Sequence, residues 1–452
     1  MLNVNWPDVK RIYFIGIGGI GMSALARYCN YRGLKVSGYD KTETILTQEL
    51  IQEGIAVHYD DDILALDAEA DLVVYTPAIP PDHKELNYYK SHNYPIVKRS
   101  DLLQEITRHS RTIAIGGTHG KTTTTTLVAH ILRHSGVGCT AFLGGISSNY
   151  NTNFWSSDQD LIVVEADEYD RSFHKLHPFI SVITSCDADH LDIYQSKEAL
   201  VEAFQQFAVL THPQGALIYR SALPVQSGAE NISYSVSDKE ADITAGQLTL
   251  IDGYYHFSIY YKGLLIDQLM IPMPGLHNIE NTLAAVGVAL KLGIETGKIR
   301  RALQSFRGVK RRFEILINQP HLTYVDDYAH HPTEIRAAMQ ALRSFRPEKK
   351  ITVVFQPHLF TRTKDFAPDF AEALSLADEI ILLPVYPARE LPIEGVHSEW
   401  LVSLIKNTPA IVVDKKELLH ELSRRKLEVL CTMGAGDIDQ FTEPIKKLFT
   451  SI

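Results

Sequence analysis

Blocks of apolar residues change period repeatedly along this chain, from strand-like runs to helical spacing and back. Residues 11–40, RIYFIGIGGIGMSALARYCNYRGLKVSGYD, predict a strand, a glycine turn, a helix and a second strand ending at Asp40. Further strand and turn signals follow at ADLVVYTPAIP and YPIVKRS. Such alternation predicts a parallel sheet with crossover helices. A fresh apolar strand, RTIAIGG, begins at Arg111 and runs into GTHGKTTTTTLVAHILRHSG, whose apolar residues keep helical spacing up to a stop signal at Gly136. A domain boundary is therefore placed near Ser110. The second unit continues through DLIVVEAD and ISVITSCD, then two β-rich stretches that turn at Asp252-Gly253 and Lys262-Gly263 as hairpins do, and a closing helix at HNIENTLAAVGVALKLG. After GVKRRFEI the chain restarts with strands at LTYVDDY, KITVVFQP, EIILLPVY and VLCTMGAG, separated by helical patterns such as PTEIRAAMQALRSF. The pattern predicts an α/β protein of three units in series, 1–109, 110–309 with added β-hairpins, and 310–452.

Length agrees with that division, because 452 residues exceed what one hydrophobic core organises. With 45% hydrophobic and 22% charged residues the composition is that of an ordinary globular protein. The formal charge of -10 argues against a general affinity for nucleic acid, which is held mainly by clustered Lys and Arg. Cys29, Cys139, Cys186 and Cys431 lie far apart with no CxxC spacing, so neither a disulfide framework nor a zinc ribbon is expected. The apolar stretch from Ile12 to Ala26 is interrupted by glycines, and no run reaches the roughly 18 apolar residues a spanning helix needs. A cytoplasmic protein without membrane insertion is the expectation.

Several strand ends carry chemistry. Gly16, Gly18 and Gly21 form a GxGxxG turn between strand and helix, with Asp40 ending the next strand; bare amides at a helix N-terminus there approach a diphosphate closely. Packing alone is the competing account of such a turn. Gly117-Thr118-His119-Gly120-Lys121-Thr122 is a shortened phosphate loop, since the first glycine of the full GxxxxGKT pattern would fall on Ile115. Its amides can cradle phosphates, Lys121 adds a fixed charge, and the Thr122 hydroxyl can ligate magnesium. The threonine run behind it does nothing for helix propensity, which makes a purely structural role a poor explanation. Glu165-Ala166-Asp167-Glu168 and Asp187-Ala188-Asp189-His190-Leu191-Asp192 follow apolar strands, where a nucleotide's magnesium needs hard oxygen ligands. Solvated acidic loops are the bland alternative.

His277, Asn278 and Asn281 begin a helix after Gly275, where Asn278 could simply be the cap. Arg311 and Arg312, with Asp326-Asp327, flank the start of the third unit, where a nucleotide held on the central unit could be reached on closure; a solvated surface is the usual fate of such an arginine pair. Tyr328-Ala329-His330-His331-Pro332 invites a metal reading, but adjacent histidines point in different directions and no further ligand has a defensible spacing. Gln356-Pro357-His358 with Thr361-Arg362-Thr363 places polar groups at the end of a very apolar strand, as a ligand site or an ordinary turn.

Taken in order, GIGGIGMS, GTHGKTTT, EADE, DHLD, HNIEN, RRFE, DDYAHHPTE, FQPH and GAGD resemble the Mur ligases of peptidoglycan synthesis, from about Arg11 to Asp437. Within that family FQPHLFTRT is similar to the alanine-adding members. The resemblance implies an N-terminal Rossmann-like domain for a UDP-sugar, a central P-loop ATPase-type domain and a C-terminal Rossmann-like domain that brings the amino acid. It implies ATP-dependent joining of L-alanine to the lactyl carboxylate of UDP-N-acetylmuramate through an acyl phosphate, with Mg2+. Gly16, Gly18, Gly19, Gly21 and Asp40 would bind the UDP-sugar. Gly117, Thr118, His119, Gly120, Lys121, Thr122 and Thr123 would bind ATP, with Thr122 and Glu165 on one magnesium ion and His190 on a second. His277, Asn278, Asn281, Arg312 and Asp327 would complete the nucleotide site, and Lys121, His190, Arg312 and Asp327 would form the catalytic set. Tyr328, His330, His358 and Arg362 match positions near the incoming amino acid. The base for its amine stays open among His190, His330 and His358.

Three departures accompany the resemblance. Leu359 stands where relatives commonly carry an arginine, Tyr169 stands where a serine is frequent, and no lysine can be assigned to the carbamylated metal bridge of some family members. The nearest rival reading is the recycling ligase that adds a whole tripeptide to the same UDP-sugar. A nicotinamide dehydrogenase would explain GxGxxG and Asp40 but leave residues 117–122 without a purpose, and a nucleotide-switched binding module would not require the third unit's histidines.

Overall fold

Five short apolar strands, β1 (Arg11–Ile15), β2 (Lys35–Tyr39), β3 (Ala56–His58), β4 (Leu72–Tyr75) and β5 (Ile96–Lys98), form the first sheet of the computed structural model, which describes residues 6–450 apart from 109, 170, 188–190, 195 and 389. All pair in parallel, in the order β3-β2-β1-β4-β5. In β1, Ile12 and Phe14 face one apolar cluster while Tyr13 and Ile15 face another, so both faces of the strand are covered. That explains why it reads as an uninterrupted apolar run instead of alternating. The order in which strands are laid down reverses between β1 and β4, which opens the crevice where ligands of such sheets bind, beside the turn at Gly16.

The second sheet contains β6 (Arg111–Gly116), β7 (Thr140–Ser147), β8 (Thr152–Trp155), β9 (Leu161–Glu165), β10 (Pro178–Ile183), β11 (Ala216–Arg220), β12 (Glu230–Ser235), β13 (Ile243–Ile251), β14 (Tyr254–Tyr261) and β15 (Leu264–Met270). Their order is β15-β14-β13-β12-β11-β10-β6-β9-β7-β8, which sets β6 between the two strands that carry the acidic clusters. The expected hairpins are present. Asp252 and Gly253 have φ of 51° and 83°, and Lys262 and Gly263 have 47° and 79°, the pair of left-handed residues that a tight two-residue hairpin loop demands.

The third sheet is built from β16 (Glu314–Asn318), β17 (Thr323–Asp327), β18 (Ile351–Phe355), β19 (Glu379–Leu382), β20 (Ala410–Val412) and β21 (Val429–Met433), in the order β16-β17-β21-β18-β19-β20. Only β16 runs antiparallel to its neighbour. Val325, Val353 and Cys431 face one core cluster while Tyr324, Val354 and Leu430 face the other, again the signature of a sheet covered on both sides.

By packing, the chain forms two compact units. The first holds the chain up to Gly246 together with Ile259–Ile266 and Glu280–Phe306; the second holds Gln247–Ser258, Asp267–Ile279 and the chain from Arg307 on. The first sheet and strands β6 to β12 of the second share one unit because a single apolar cluster runs from Ile12 and Leu25 to Phe142, Val164 and Phe204. The helix at Ile20–Tyr31 is also fastened across them by Asn153, whose Nδ2 donates to Ile20 O at 2.6 Å and Ser23 Oγ at 2.9 Å and whose Oδ1 accepts from buried Arg27. The four cysteines are free and buried. Among the described residues no helix is long and apolar enough to cross a membrane.

Candidate active site

The phosphate loop leaves β6 and is tied down along the end of β10. Thr118 Oγ1 and the His119 amide each lie 2.8 Å from Ser185 Oγ, and the Thr118 amide donates to Ser185 O at 3.2 Å. Gly120, at φ 82°, ends the loop; a Cβ there would fall 2.5 Å from Asn281 Oδ1. The helix Lys121–His134 that follows has no side-chain N-cap, so its first amides are oriented outward in the way that suits phosphate oxygens. Thr123 and Thr124 lie buried in the first turn, and the hydroxyls of Thr125 and Thr126 donate back to Lys121 O and Thr122 O at 2.8 Å. That back-bonding lets a run of poor helix formers stay helical and buried. Thr124 Oγ1 donates to Asn281 Oδ1 at 3.2 Å, so the expected asparagine does reach the loop.

Lys121 Nζ donates to Gly117 O at 2.8 Å and to Glu168 Oε1 at 2.7 Å. Burial works against its charge, but the carboxylates of Glu168, Asp167 and Glu165 outweigh that and hold the ammonium above the ordinary lysine value. Thr122 Oγ1 donates to Glu165 Oε2 at 3.0 Å. A hydroxyl and a carboxylate converging at the mouth of a phosphate loop are hard oxygen donors of the kind magnesium takes. Among the described residues no group of three or more His, Cys, Asp or Glu is arranged to hold a metal unaided. His190, expected on a second magnesium, lies outside the described residues.

The glycine-rich turn after β1 is held by its own strand neighbours. The Gly16 and Ile17 amides donate to Tyr39 O at 2.8 and 2.9 Å, and the Gly18 amide donates to Asp40 Oδ2 at 2.8 Å. Asp40 therefore braces the turn, and Gly19 precedes the helix Ile20–Tyr31 without a side-chain cap. A Cβ on Gly21 would fall 2.7 Å from Arg99 Nη1, so the last glycine of the turn makes room for a guanidinium. Arg99 also lies 3.5 Å from Asp167, whose other oxygen takes the Tyr169 amide at 3.1 Å. A cavity of about 130 Å3 is lined by Ile20, Gly21 and Arg99 on one side and by Gly144, Glu165 and Asp167 on the other. The last glycine of the turn and the acidic end of β9 thus face a common space.

In the second unit the strand ends of β17 and β18 bring together a separate set. Asp327 accepts from the Phe313 and Ala329 amides at 2.7 Å each; burial pushes its carboxyl up to about 6 against the opposing pull of Arg312. Arg312 lies 3.9 Å from Glu334 and 5.0 Å from the Tyr328 ring centre. Arg311 is not a solvated surface group, since it bonds Asp326 at 3.1 Å and Gly434 O at 2.7 Å. The two adjacent histidines diverge, as anticipated. His330 Nδ1 faces Tyr328 O at 2.9 Å, while His331 caps the helix Pro332–Phe345. Burial lowers the pKa of His330 despite the nearby Glu334, with Arg362 lowering it further. Its ring centre is 6.1 Å from that of His358, which stacks on Tyr386 at 5.7 Å. Leu359, one of the departures, adopts φ 69° and ψ 136° before the helix Phe360–Asp365.

Asn278 lies inside the helix, which runs Leu276–Lys291, and not at its cap position; its Nδ2 donates to Pro274 O at 2.7 Å, and His277 is exposed on the first turn. Sequence reasoning also missed Arg99, Asn153 and Glu168. For Glu168 a signal existed, since it belongs to the acidic EADE segment, but nothing in that segment says which carboxylate faces which group.

Family models match three stretches in order: residues 11–111 with one described as Mur ligase family, catalytic domain; 115–289 with Mur ligase middle domain; and 311–436 with Mur ligase, glutamate ligase domain. The chain is 46% identical to a UDP-N-acetylmuramate--L-alanine ligase of Porphyromonas gingivalis, covering 98% of this chain and all of that one. It is 47% identical to the enzyme of the same name from Flavobacterium psychrophilum, covering 98% and 99%. Among solved structures it is similar to UDP-N-acetylmuramate-alanine ligase MurC from Thermotoga maritima, with TM-score 0.85, 30% identity and coverage of 98% and 99%. A murein peptide ligase from Psychrobacter arcticus shares the fold at TM-score 0.72 and 21% identity, covering 98% and 99%. Identity on this scale along practically the whole length, with phosphate loop, glycine turn and histidine pair each inside a matching stretch, places the chain in one family: it belongs to the Mur ligases.

Proposed function

We propose that the chain joins L-alanine to the lactyl carboxylate of UDP-N-acetylmuramate at the expense of ATP, in peptidoglycan precursor synthesis. The single observation that carries the chemistry is the shared cavity, in which Gly21, the last glycine of the turn, and the Glu165 end of β9 face each other. A sugar carboxylate must meet a γ-phosphate, and here Gly21 shares one space with Glu165, the carboxylate that takes the Thr122 hydroxyl of the phosphate loop. Choice of alanine over a whole tripeptide rests on relatives of 46% and 47% identity that carry the alanine ligase name, against 21% for the murein peptide ligase.

In this reading Gly16, Gly18, Gly19 and Gly21, braced by Asp40, receive the UDP-sugar. Residues 117–123 receive ATP, with His277, Asn278, Asn281, Arg312 and Asp327 assigned to the same nucleotide. The lactyl carboxylate attacks the γ-phosphorus, ADP leaves, and an acyl phosphate forms. Lys121 meets the charge that develops on the transferring group. The amine of alanine then attacks the acyl carbon, phosphate leaves, and the amine gives up a proton. Tyr328, His330, His358 and Arg362 are assigned to the amino acid. Thr122 and Glu165, with His190 on a second ion, would hold magnesium, whose role when bound is to neutralise the nucleotide's oxygens. The division at 110 and 310 into sugar, ATP and amino-acid domains belongs to the same proposal, as does a cytoplasmic site of action with no nucleic-acid partner.

The test is phosphate release by purified protein. Release from ATP is expected only when UDP-N-acetylmuramate, L-alanine and magnesium are all present. Release driven by the tripeptide and not by alanine would assign the recycling reaction instead. Parallel assays with serine and glycine measure selectivity, since one small group in a pocket is worth only about 1–3 kcal/mol.

A further inference from the structure

The three acidic side chains at the end of β9 are sorted to three different partners. Glu165 takes the Thr122 hydroxyl, Asp167 faces Arg99, and Glu168 takes the ammonium of Lys121. Glu168 is the one with no solvent exposure at all. Its backbone is fixed as firmly as its side chain, because its carbonyl accepts from the Arg171 amide at 3.0 Å and from the hydroxyl of fully buried Tyr194. The Arg171 guanidinium lies 5.1 Å from the Tyr194 ring centre and holds that contact in place.

Resting on the phosphate-loop reading above, we propose that Glu168 is a positioning residue for ATP binding: a buried counter-ion that, with Gly117 O, aims Lys121 Nζ at the phosphates. A lysine ammonium is a point charge on a stem of four rotatable carbons. Anchoring two of its three donors, at 2.7 Å on Glu168 and 2.8 Å on Gly117 O, removes that freedom before the nucleotide arrives. Preorganisation of this kind shows as affinity, because the ordering cost is no longer met on binding. Glu168 acts through Lys121 and not on the sugar, so its effect is confined to the nucleotide.

A double-mutant cycle on the full chain tests this. Binding of a non-hydrolysable ATP analogue with magnesium is measured by calorimetry, and KM for ATP and for UDP-N-acetylmuramate by ligation kinetics, in Glu168→Gln, Glu168→Asp, Lys121→Ala and the double variant Lys121→Ala/Glu168→Gln. Loss of one charge-assisted hydrogen bond predicts roughly 10–100-fold weaker analogue binding and a matching rise in KM for ATP in Glu168→Gln, with KM for the sugar unchanged. Glu168→Asp, which keeps the charge, recovers part of the loss. In the Lys121→Ala background Glu168→Gln costs nothing further. Additive losses in the double variant, or equal rises in both KM values, overturn the inference and leave the phosphate-loop reading standing. A Lys121→Ala protein that binds the analogue like the unaltered chain overturns both. Should Glu168→Gln fail to fold by circular dichroism, Glu168→Asp carries the cycle, with a smaller loss that again vanishes without Lys121.

Discussion

The Thr122 hydroxyl donates to Glu165 Oε2 at 3.0 Å, and the carboxylate reaches it only because residue 144, across the sheet on β7, is glycine. A Cβ on Gly144 would fall 2.0 Å from Glu165 Oε2. The obstructed atom is the far end of a flexible side chain, and Gly144 does not have a left-handed φ, so Gly144→Ala is expected to fold and to displace the carboxylate. Misplacing a metal-side group in this way costs about 10–100-fold in metal affinity. The expected outcome is a rise of that size in the magnesium concentration giving half-maximal ligation, with the thermal midpoint close to that of the unaltered chain. An unchanged magnesium curve would remove Glu165 from the metal side.

Asn153 makes a second prediction, about stability. Asn153→Ala leaves Ile20 O, Ser23 Oγ and buried Arg27 each short of a partner. Stranding buried polar groups costs about 1–3 kcal/mol. Because Ile20 opens the helix behind the glycine turn, KM for the UDP-sugar should rise as the melting temperature falls, while KM for ATP stays put. Equal changes in both KM values would show that the staple serves only general packing.

How much of this was legible beforehand depends on the range of the interaction. The hairpin turns at Asp252-Gly253 and Lys262-Gly263, the turn after β1 and the loop at 117–122 announce themselves because their chemistry is local to a few residues. The Asn153 staple joins residues 130 and 133 positions apart, and Arg99 packs against Gly21 from far along the chain; no spacing rule reaches that far. Within Glu165-Ala166-Asp167-Glu168 the strand ends at Glu165, so period-two alternation stops and the directions of the next carboxylates are set by the fold. The ion pair of Arg311 is hidden for a related reason, since its partner Asp326 is buried in a strand that pairs with β21 more than a hundred residues later.

The second unit supplies a prediction about division of labour. His330 sits 6.1 Å from His358, with its Nδ1 turned to Tyr328 O and its amide on Glu334. If this pair serves the amino acid, His330→Ala should raise KM for alanine about tenfold or more and leave KM for ATP within a factor of two, the mark of a group that binds one substrate. The reverse pattern would move the histidines to the nucleotide side.

A final prediction concerns pH, and it comes from a buried cluster under the first sheet. Tyr13 Oη lies 2.6 Å from both Glu85 Oε2 and His58 Nε2, and His58 Nδ1 faces Asp60 O at 3.0 Å. A carbonyl can only accept, so Nδ1 carries a proton. With Glu85 ionised, Tyr13 donates to it and His58 must protonate Nε2 as well, which burial opposes. With Glu85 protonated the chain runs the other way and His58 stays neutral. The shifts agree: burial pushes Glu85 up to about 7 and His58 down. A folded pKa above the unfolded value means the contribution to stability is fully present below pH 4.5 and lost as pH rises through 7. Glu85→Gln mimics the protonated form at every pH. Its melting temperature relative to the unaltered chain should therefore climb between pH 5 and pH 8, by an amount on the order of 2–3 kcal/mol of stability. The comparison must be a difference, because carboxylates such as Asp67 and Asp378 have lowered values and pull the unaltered curve the opposite way at lower pH. A difference that does not change across that range would show that Glu85 is ionised throughout and that Tyr13 donates to it.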